Sequence, residues 1–233
     1  MMSSRIYHDG TYLEHNPTWH VEDAGYKARD IVALLTQHHL RPLTVCEVGC
    51  GAGGILEELS RRLDPSVRFT GYDISAQALA LCRPKAGERL QFVLGSLPEA
   101  GVRYDLVLAM DVFEHVEDYL GFLRALHSKG THQIFRIPLN LSIQSVLFKS
   151  RPILEARATY GHLHYFTRET ALATLRHTGY RVLDAFHTFA PISPPRMGWP
   201  RALLKSLKKA CFSLHPEWCA RLLDGFSLMV LTE

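Results

Sequence analysis

The sequence lacks long hydrophobic runs, a strong excess of either charge, and paired-cysteine motifs. No stretch approaches the roughly 20 apolar residues needed to cross a bilayer, and the amino terminus has no apolar segment of signal-peptide length. We therefore expect a cytoplasmic protein. The five cysteines include no C-x-x-C pair, and their odd number argues against a fully paired disulfide framework.

The charge balance is nearly even, with a formal net charge of +3. The segment from Ala190 to the C-terminus carries six Lys or Arg against three Asp or Glu, so this segment alone accounts for the excess. Proteins that bind nucleic acid usually have a strongly basic face or stripe. We therefore expect no nucleic acid partner.

The length of 233 residues, 47% of them hydrophobic, suits one α/β domain with insertions better than two independent domains. From residue 44 onward, short β-rich runs alternate with helix-period segments, a pattern typical of parallel strands joined by crossover helices. The predicted strands are 44–48, 67–72, 90–94, 104–110, 133–137, 180–189 and 226–232.

We divide the chain into a helical or lid segment at 1–43 and a domain at 44–233, which carries insertions at 139–166 and 191–225. The first insertion is polar and aromatic, and long loops of this kind are often functional, so we interpret it as a lid over the substrate. The second predicts a basic amphipathic helix at 200–214. That helix has three interpretations: packing on the end of the sheet, a homodimer contact, or peripheral docking on an anionic membrane.

A glycine loop, Glu47-Val-Gly-Cys-Gly-Ala-Gly-Gly, stands where the first strand turns into its helix. Glycines there let the backbone approach a ligand closely. Asp73 follows the second strand, where a carboxylate can accept hydrogen bonds from both ribose hydroxyls. The two features together predict a nucleoside site. Because Gly49, Gly51 and Gly54 also satisfy the dinucleotide fingerprint, an NAD(P)-dependent oxidoreductase is an alternative.

Four blocks in this order resemble the class I S-adenosylmethionine-dependent methyltransferases, small-molecule branch, from about Thr44 to the C-terminus. The blocks are Glu47-Val-Gly-Cys-Gly, Tyr-Asp73-Ile-Ser, Tyr104-Asp-Leu-Val-Leu-Ala-Met-Asp-Val-Phe-Glu-His-Val and His162-Leu-His-Tyr-Phe-Thr-Arg-Glu-Thr. The resemblance implies a Rossmann-like, doubly wound α/β fold with a seven-stranded sheet that is mostly parallel and has an antiparallel last strand. It also implies S-adenosyl-L-methionine as cofactor and a small-molecule methyl acceptor.

The resemblance further implies which residues bind the cofactor. Glu47 would lie near its amino acid portion, and the backbone of Gly49, Cys50 and Gly51 would pass beneath it. Asp73 would hold the ribose, and Ile74 would flank the adenine. Ser96, followed by Leu97, stands where many relatives have an Asp that contacts the adenine. Met110 and Asp111 would border the methyl donor.

His115 is the candidate catalytic residue. Methyl transfer from a sulfonium is an in-line displacement, which needs a base only when the acceptor arrives protonated. An ordinary pKa of about 6.5 suits a histidine to that task, although the Glu-His-Val run could instead only shape the loop. Asp111, Glu114 and His115 also resemble the divalent-metal site of ubiquinone-pathway O-methyltransferases. We predict no metal and keep this set as an alternative.

Aromatic and histidine side chains provide most of the candidate acceptor residues. In an extended segment, His162 and His164 would point to the same side. The alternative for these histidines is that they pack beneath the lid. The N-terminal aromatic cluster could fold over the pocket or pack as a helix on the domain edge; it consists of Tyr7, His8, Tyr12, Trp19 and His20. The candidate acceptor residues are Tyr12, Trp19, His20, Arg136, Asn140, Tyr160, His162, His164 and Tyr165.

Oxygen is the expected acceptor atom, on a phenol, sugar, quinone precursor or other biosynthetic intermediate. A non-catalytic binding or scaffold protein that keeps the cofactor site is the second interpretation, because a fold and a cofactor site do not establish turnover.

Overall fold

The computed structural model describes residues 5–99, 101–147, 151–189 and 210–233. Seven strands form one sheet in the order β3-β2-β1-β4-β5-β7-β6. Strands β1 to β5 are parallel, and β7 runs antiparallel to both of its neighbours. The strands are β1 (Thr44–Val48), β2 (Arg68–Asp73), β3 (Leu90–Leu94), β4 (Tyr104–Met110), β5 (Gly130–Pro138), β6 (Val182–Phe189) and β7 (Phe226–Thr232). This sheet confirms the predicted fold class.

Helices precede, connect and follow these strands. They are α1 (Thr11–His15), α2 (Ala24–Gln37), α3 (Gly54–Arg62), α4 (Ala76–Cys82), α5 (Tyr119–His127), α6 (Ile143–Leu147), α7 (Arg151–Tyr160), α8 (Arg168–His177) and α9 (Pro216–Leu222). No helix in the described part of the chain is long and apolar enough to cross a membrane.

Two hydrophobic layers enclose the sheet. On one face, α2 and α3 bury residues such as Ile31 and Leu59 against the strands. On the other face, α5, α8 and α9 bury Leu123, Leu175 and Cys219. Central strands with apolar side chains on both faces are typical of such doubly covered parallel sheets. Because β1, β2, β4 and β5 are parallel, their C-terminal ends lie at one edge of the sheet.

Most strand bounds match the prediction, and the largest difference is at the start of β5. Pairing with β4 extends this strand back to Gly130, opposite Tyr104. Although Thr131 is β-branched, Gly130 is a residue type depleted in strands, so the local sequence does not mark this start. Neighbouring backbone, rather than local propensity, therefore sets where this strand begins.

The two insertions differ from the predicted picture. Residues 139–166 are not a long irregular loop, because they contain α6 and α7. Residues 200–209 of the predicted basic helix lie outside the described residues. The remaining residues, 210–214, are helical. The membrane and homodimer interpretations of that segment therefore stay predictions.

Gly53 provides a test of the packing beneath the glycine loop. It immediately precedes α3 with φ +74°, and an added Cβ would lie 2.6 Å from ring atoms of Phe92. Because a β-carbon is disfavoured both by this backbone conformation and by the contact, we expect Gly53→Ala to lower the free energy of unfolding by about 2 kcal/mol or more. Urea denaturation measures this change.

Gly87→Ala is the matched control, since a Cβ there would meet no atom within 4 Å. We expect that variant to change stability by less than about 1 kcal/mol. Equal losses in the two variants would contradict the packing described.

Candidate active site

A cavity of about 730 Å³ opens at the C-terminal edge of the sheet. Its floor is lined by the last residues of four strands, which are Val48, Asp73, Met110 and Pro138. β1 and β4 are neighbours at its centre, and chain connections diverge to opposite sides from this pair. A crevice at such a switch point is the usual ligand site of an open α/β sheet.

The glycine loop forms one side of this cavity. Gly49 has φ +65°, and a Cβ there would lie 2.9 Å from Val112. A glycine is therefore required both by the backbone conformation and by the close approach of a side chain from beyond β4. The loop presents bare backbone to the cavity, which is the surface that a nucleoside cofactor needs.

Asp73, at the end of β2, holds the glycine loop with one carboxylate oxygen and the start of the next helix with the other. Oδ2 accepts a hydrogen bond of 2.8 Å from the Gly51 N–H, and Oδ1 accepts one of 2.8 Å from the Ser75 N–H. Burial raises the pKa of Asp73, while the backbone N–H groups of Ser75 and Gly51 oppose that rise. Each oxygen keeps further acceptor capacity for a ligand hydroxyl.

Glu47 lines the cavity from the end of β1 and is 2% exposed. Its Oε2 atom is buried and has no hydrogen-bond partner. Burial raises the pKa of Glu47 well above its ordinary value, although the charge of Lys27 opposes this effect. An orphaned carboxylate oxygen fits an ammonium group, such as that of an amino acid moiety, because a buried acceptor is costly to leave unpaired.

Asp111 follows β4 and lies between two cations. Lys27 Nζ is 2.9 Å from Oδ2, and Arg136 Nη1 is 2.5 Å from Oδ1. Burial raises the pKa of Asp111, but the charges of Arg136 and Lys27 outweigh it and hold that pKa far below its ordinary value. Arg136 also lies over the ring of Tyr26, 5.8 Å from the centroid. This network fixes the floor beside Met110.

Lys27 is a cavity residue that the sequence analysis missed. It occupies the buried side of α2 together with Ile31 and Leu34, four and seven residues later. A lysine at an apolar position of an amphipathic helix was the available signal, since buried lysines are almost always paired.

His115 stands on the short turn Phe113–His115 and lines the cavity. Its Nδ1 atom is 3.0 Å from the Tyr7 hydroxyl, and its Nε2 atom is 3.9 Å from a Glu114 carboxyl oxygen. Burial lowers the pKa of His115, while a hydrogen bond to the Gly161 backbone and the charge of Asp111 oppose that shift. The imidazole is therefore neutral at neutral pH and can accept a proton.

Aromatic rings from the N-terminal segment and the end of α7 cover the cavity. The Tyr12 ring centroid lies 4.9 Å from that of Tyr7 and 4.7 Å from that of Trp19. The His20 ring approaches Tyr160 at 5.8 Å. Five adjacent rings form a wall suited to a flat, aromatic ligand.

Most of the predicted site residues meet in this cavity. Those that line it are Glu47, Gly49, Cys50, Gly51, Asp73, Ile74, Ser96, Met110, Asp111, His115, Tyr12, Trp19, His20, Arg136, Tyr160 and His162. Leu97 does not line it, because its side chain is fully buried in the core.

Three predicted acceptor residues lie behind the cavity wall. Asn140 donates from Nδ2 to His162 Nδ1 over 2.7 Å, and the Tyr165 hydroxyl donates to the His162 carbonyl over 2.9 Å. His164 instead bonds the Val116 carbonyl through Nε2 at 2.9 Å. His162 and His164 therefore do not face the same ligand, and Asn140 and Tyr165 support His162.

The geometry argues against Asp111 as a metal ligand, because its two oxygens are engaged by Lys27 and Arg136. Glu114, His115 and His162 do approach one another, with potential ligand atoms up to 4.8 Å apart. Neighbouring ligands of a divalent ion bound at about 2.1 Å are only roughly 3 Å apart. The structure thus places His162, rather than Asp111, beside Glu114 and His115, and the metal alternative stays a prediction.

The burial of His162 predicts a pH-dependent stability. Burial, reinforced by His115, lowers the pKa of His162 to about 4. As the pH falls below about 6.5, the unfolded chain therefore takes up the proton before the folded chain does. The stability contribution is complete above about pH 6.5 and is lost progressively toward pH 4.

Between pH 7 and pH 5, we expect the unfolding free energy of the wild type to fall by about 2 kcal/mol more than that of His162→Gln. Urea titrations at the two pH values measure this difference. The same pH dependence in both proteins would contradict the assignment.

The fold is that of the class I methyltransferases. Its glycine loop and the Asp73 carboxylate, placed to accept hydrogen bonds from ribose hydroxyls, form a nucleoside cofactor site. Residues 20–185 match the sequence model of the methyltransferase domain family. The chain belongs to this family, and with it to the S-adenosylmethionine-dependent methyltransferases, which confirms the predicted cofactor and enzyme class.

Curated relatives include the ubiquinone biosynthesis O-methyltransferase of Ruegeria pomeroyi, 36% identical over 100 residues, which are 40% of this chain and 39% of the relative. The enzyme of the same name from Vibrio parahaemolyticus is 35% identical over 114 residues, which are 45% and 47% of the two chains. The alignments thus span less than half the length of these relatives.

Solved structures show the same fold at low sequence identity. Magnesium protoporphyrin IX methyltransferase from Synechocystis, with bound S-adenosylhomocysteine, has a TM-score of 0.60 and 18% identity over 90% of this chain and 83% of its own. The N-methyltransferase NodS from Bradyrhizobium japonicum has a TM-score of 0.59 and 14% identity over 96% and 98%.

Proposed function

We propose that this protein transfers the methyl group of S-adenosylmethionine to a hydroxyl oxygen of a small aromatic acceptor. The observation that carries this proposal is the position of neutral, half-buried His115 in a cavity walled by aromatic rings. A phenolic hydroxyl needs a base to become a good nucleophile, and its ring needs a flat apolar surface.

The residues at the glycine loop fit the cofactor. Glu47, with its orphaned oxygen, would bind the ammonium, and Asp73 would accept hydrogen bonds from the ribose hydroxyls. Lys27 stands near Glu47 and would neutralise the cofactor carboxylate. Ile74 and Ser96, which line the opposite end, would contact the adenine. When bound, S-adenosylmethionine supplies an electrophilic methyl group on a sulfonium.

The chain has two tasks in the reaction. The aromatic wall holds the acceptor so that its hydroxyl faces the region of Met110, and His115 takes up the hydroxyl proton. The part of the N-terminal segment that precedes α2 would act as one lid and α7 as the other, since Trp19 and Tyr160 line the cavity. Exclusion of water protects the reactive hydroxyl and fixes its approach.

The names of the curated relatives favour oxygen as the acceptor atom. They are named as O-methyltransferases of ubiquinone biosynthesis, and they align with 40% and 45% of this chain. A cavity of about 730 Å³ has room for a nucleoside cofactor and a one-ring acceptor. We therefore propose a phenol or catechol, of the kind found in quinone precursors, as the acceptor class.

The test uses S-adenosylmethionine with a labelled methyl group and pairs of acceptors that share a ring. One member of each pair carries hydroxyls and the other carries amines. We expect transfer to the hydroxyl compounds and none to the amines. Transfer to amines alone would contradict O-methylation, and tight cofactor binding without transfer to any phenol, catechol or amine would favour a binding or scaffold protein.

A further inference from the structure

We propose that α6, α7 and α9 present a surface that docks on an anionic lipid membrane. Fourteen large apolar side chains are exposed in the described part of the chain, and eight of them lie on α6, on α7 or in residues 210–222. Clustered exposed apolar side chains mark interaction surfaces. The docking surface consists of seven of these side chains, which are Ile143, Val146, Leu147, Leu154, Leu214, Trp218 and Leu222.

Helix α6 is turned opposite to an ordinary surface helix. Ile143, Val146 and Leu147 are exposed, although their spacing of three and four residues places them on one side of the helix. Ser145, in contrast, is fully buried. A surface helix normally buries its apolar side and exposes its polar side. Because folding does not use the apolar side of α6, that side is available for a partner.

The helical residues 210–222 carry a second apolar stripe. Leu214, Trp218 and Leu222 follow one another at intervals of four residues, and all three are exposed. The backbone bridges the interval, because the Cys219 N–H donates to the His215 carbonyl. Cys219 is buried in the core and occupies the inner side. Trp218 is 64% exposed, and tryptophan is enriched at the boundary between membrane and water.

Hydrogen bonds join the two stripes into one region. The Ser142 hydroxyl donates to the Asp224 carboxylate, and the Asp224 N–H donates to Gln144 Oε1 over 3.3 Å. These bonds tie the start of α6 to the chain that follows α9. Helix α7 adds Leu154, and its last residue, Tyr160, lines the cavity. The docking surface and the candidate active site therefore share a helix.

The charge of the chain around this surface indicates the kind of partner. Residues 143–160 and 190–225 carry nine Lys or Arg against three Asp or Glu, whereas the rest of the chain carries 17 against 20. Among the three acids, Glu217 is paired with Arg221 at 3.0 Å. Anionic headgroups attract basic segments, while neighbouring apolar side chains enter the boundary between headgroups and acyl chains.

The same charge disfavours a second copy of this chain as the occupant. A symmetric dimer through this surface would bring two identical basic regions together. Like charges that meet across an interface cost binding free energy. An anionic membrane offers the opposite charge and an apolar interior, so it complements both properties of the surface.

The experiment is co-sedimentation of the full chain with lipid vesicles at low salt. One set of vesicles is pure phosphatidylcholine, and the other is an equal mixture of phosphatidylcholine and phosphatidylglycerol. We expect at least about 10-fold stronger binding to the anionic vesicles. We expect Leu147→Ser and Trp218→Ser each to weaken that binding by about 10-fold, because each removes a large apolar side chain that enters the membrane.

Leu43→Ser is the matched control. Leu43 is 61% exposed and Leu147 is 74% exposed, but Leu43 immediately precedes β1, at the edge of the sheet opposite the cavity. We expect this variant to bind anionic vesicles as the wild type does. All three substitutions are at exposed positions, so folding does not depend on the side chains that they remove.

Three results would overturn the proposal. These are no binding of the wild type to anionic vesicles, equal binding to both kinds of vesicle, and binding that Leu147→Ser and Trp218→Ser leave undiminished relative to Leu43→Ser. A wild type that stays off the vesicles but dimerises in analytical ultracentrifugation, with Trp218→Ser monomeric, would assign the surface to a second copy instead.

The inference goes beyond the proposed function and fails separately from it. Vesicle binding is measured without cofactor or acceptor, so a failure of methyl transfer to phenols would leave the docking surface standing. Methyl transfer by a protein that binds no vesicle would support the proposed function and contradict the docking surface.

Discussion

Asp73→Asn is expected to weaken binding of S-adenosylhomocysteine by about 100-fold or more. The substitution removes the charge and leaves one oxygen where two now hold Gly51 and Ser75. It also places an amide N–H₂ where a ribose hydroxyl must donate. Hydrogen bonds to a charged group contribute about 1.5–3 kcal/mol each, so the loss of one or two accounts for this factor. Isothermal titration calorimetry measures the change in Kd.

Asp105→Asn is the matched control for this prediction. Asp105 also accepts hydrogen bonds from two backbone N–H groups, those of Leu43 and Thr44, but at the opposite edge of the sheet. We expect its cofactor affinity to stay within about twofold of the wild type. Similar affinity losses in both variants would show that Asp73 acts through folding rather than through a ligand contact.

His115→Gln is expected to lower kcat by about 10²- to 10⁴-fold toward the acceptor identified by the screen, with little change in cofactor affinity. Glutamine keeps a polar side chain of similar reach but cannot accept a proton at neutral pH, and general base catalysis typically contributes this range. Initial rates at saturating acceptor, combined with calorimetry, separate the loss of chemistry from a loss of binding.

His164→Gln is the control for His115. The two histidines are close in the fold, but His164 bonds the Val116 carbonyl and does not line the cavity. We expect its kcat to remain within a few-fold of the wild type. A kcat for His115→Gln equal to that of the wild type would remove His115 from the chemistry, whereas equal losses in both variants would indicate a general effect on the loop.

The cofactor side of the cavity could be predicted from the sequence because its signals are local. Glu47, the glycine loop and Asp73 stand at the ends of two adjacent strands, and parallel strands bring such ends to one edge. The same logic placed Met110, the last residue of β4, and His115, which follows that strand. Strand order and a short motif were sufficient for these residues.

The acceptor side depends on contacts between distant parts of the chain. Lys27 meets Asp111 across 84 positions, and Tyr7 meets His115 across 108. No local periodicity encodes such pairs, although a lysine on the apolar side of α2 gave a usable signal. Tyr7 was part of the N-terminal aromatic cluster that the sequence marked, but nothing local predicted its contact with His115.

The prediction for His162 and His164 was limited by an assumption about backbone geometry. Alternation of side chains holds for an extended strand. Here the N–H groups of Leu163 and His164 both donate to the Glu114 carbonyl, so the segment is not a strand. His162 consequently lines the cavity, while His164 packs against Tyr119 with ring centroids 4.3 Å apart.

Calorimetric titration of the purified protein with S-adenosylmethionine, S-adenosylhomocysteine and NADH tests the central claim most directly. A methyltransferase site built from Glu47, the glycine loop and Asp73 predicts micromolar binding of the two sulfur nucleosides and no heat of binding with NADH. Binding of NADH, or failure of both sulfur nucleosides to bind, would contradict it.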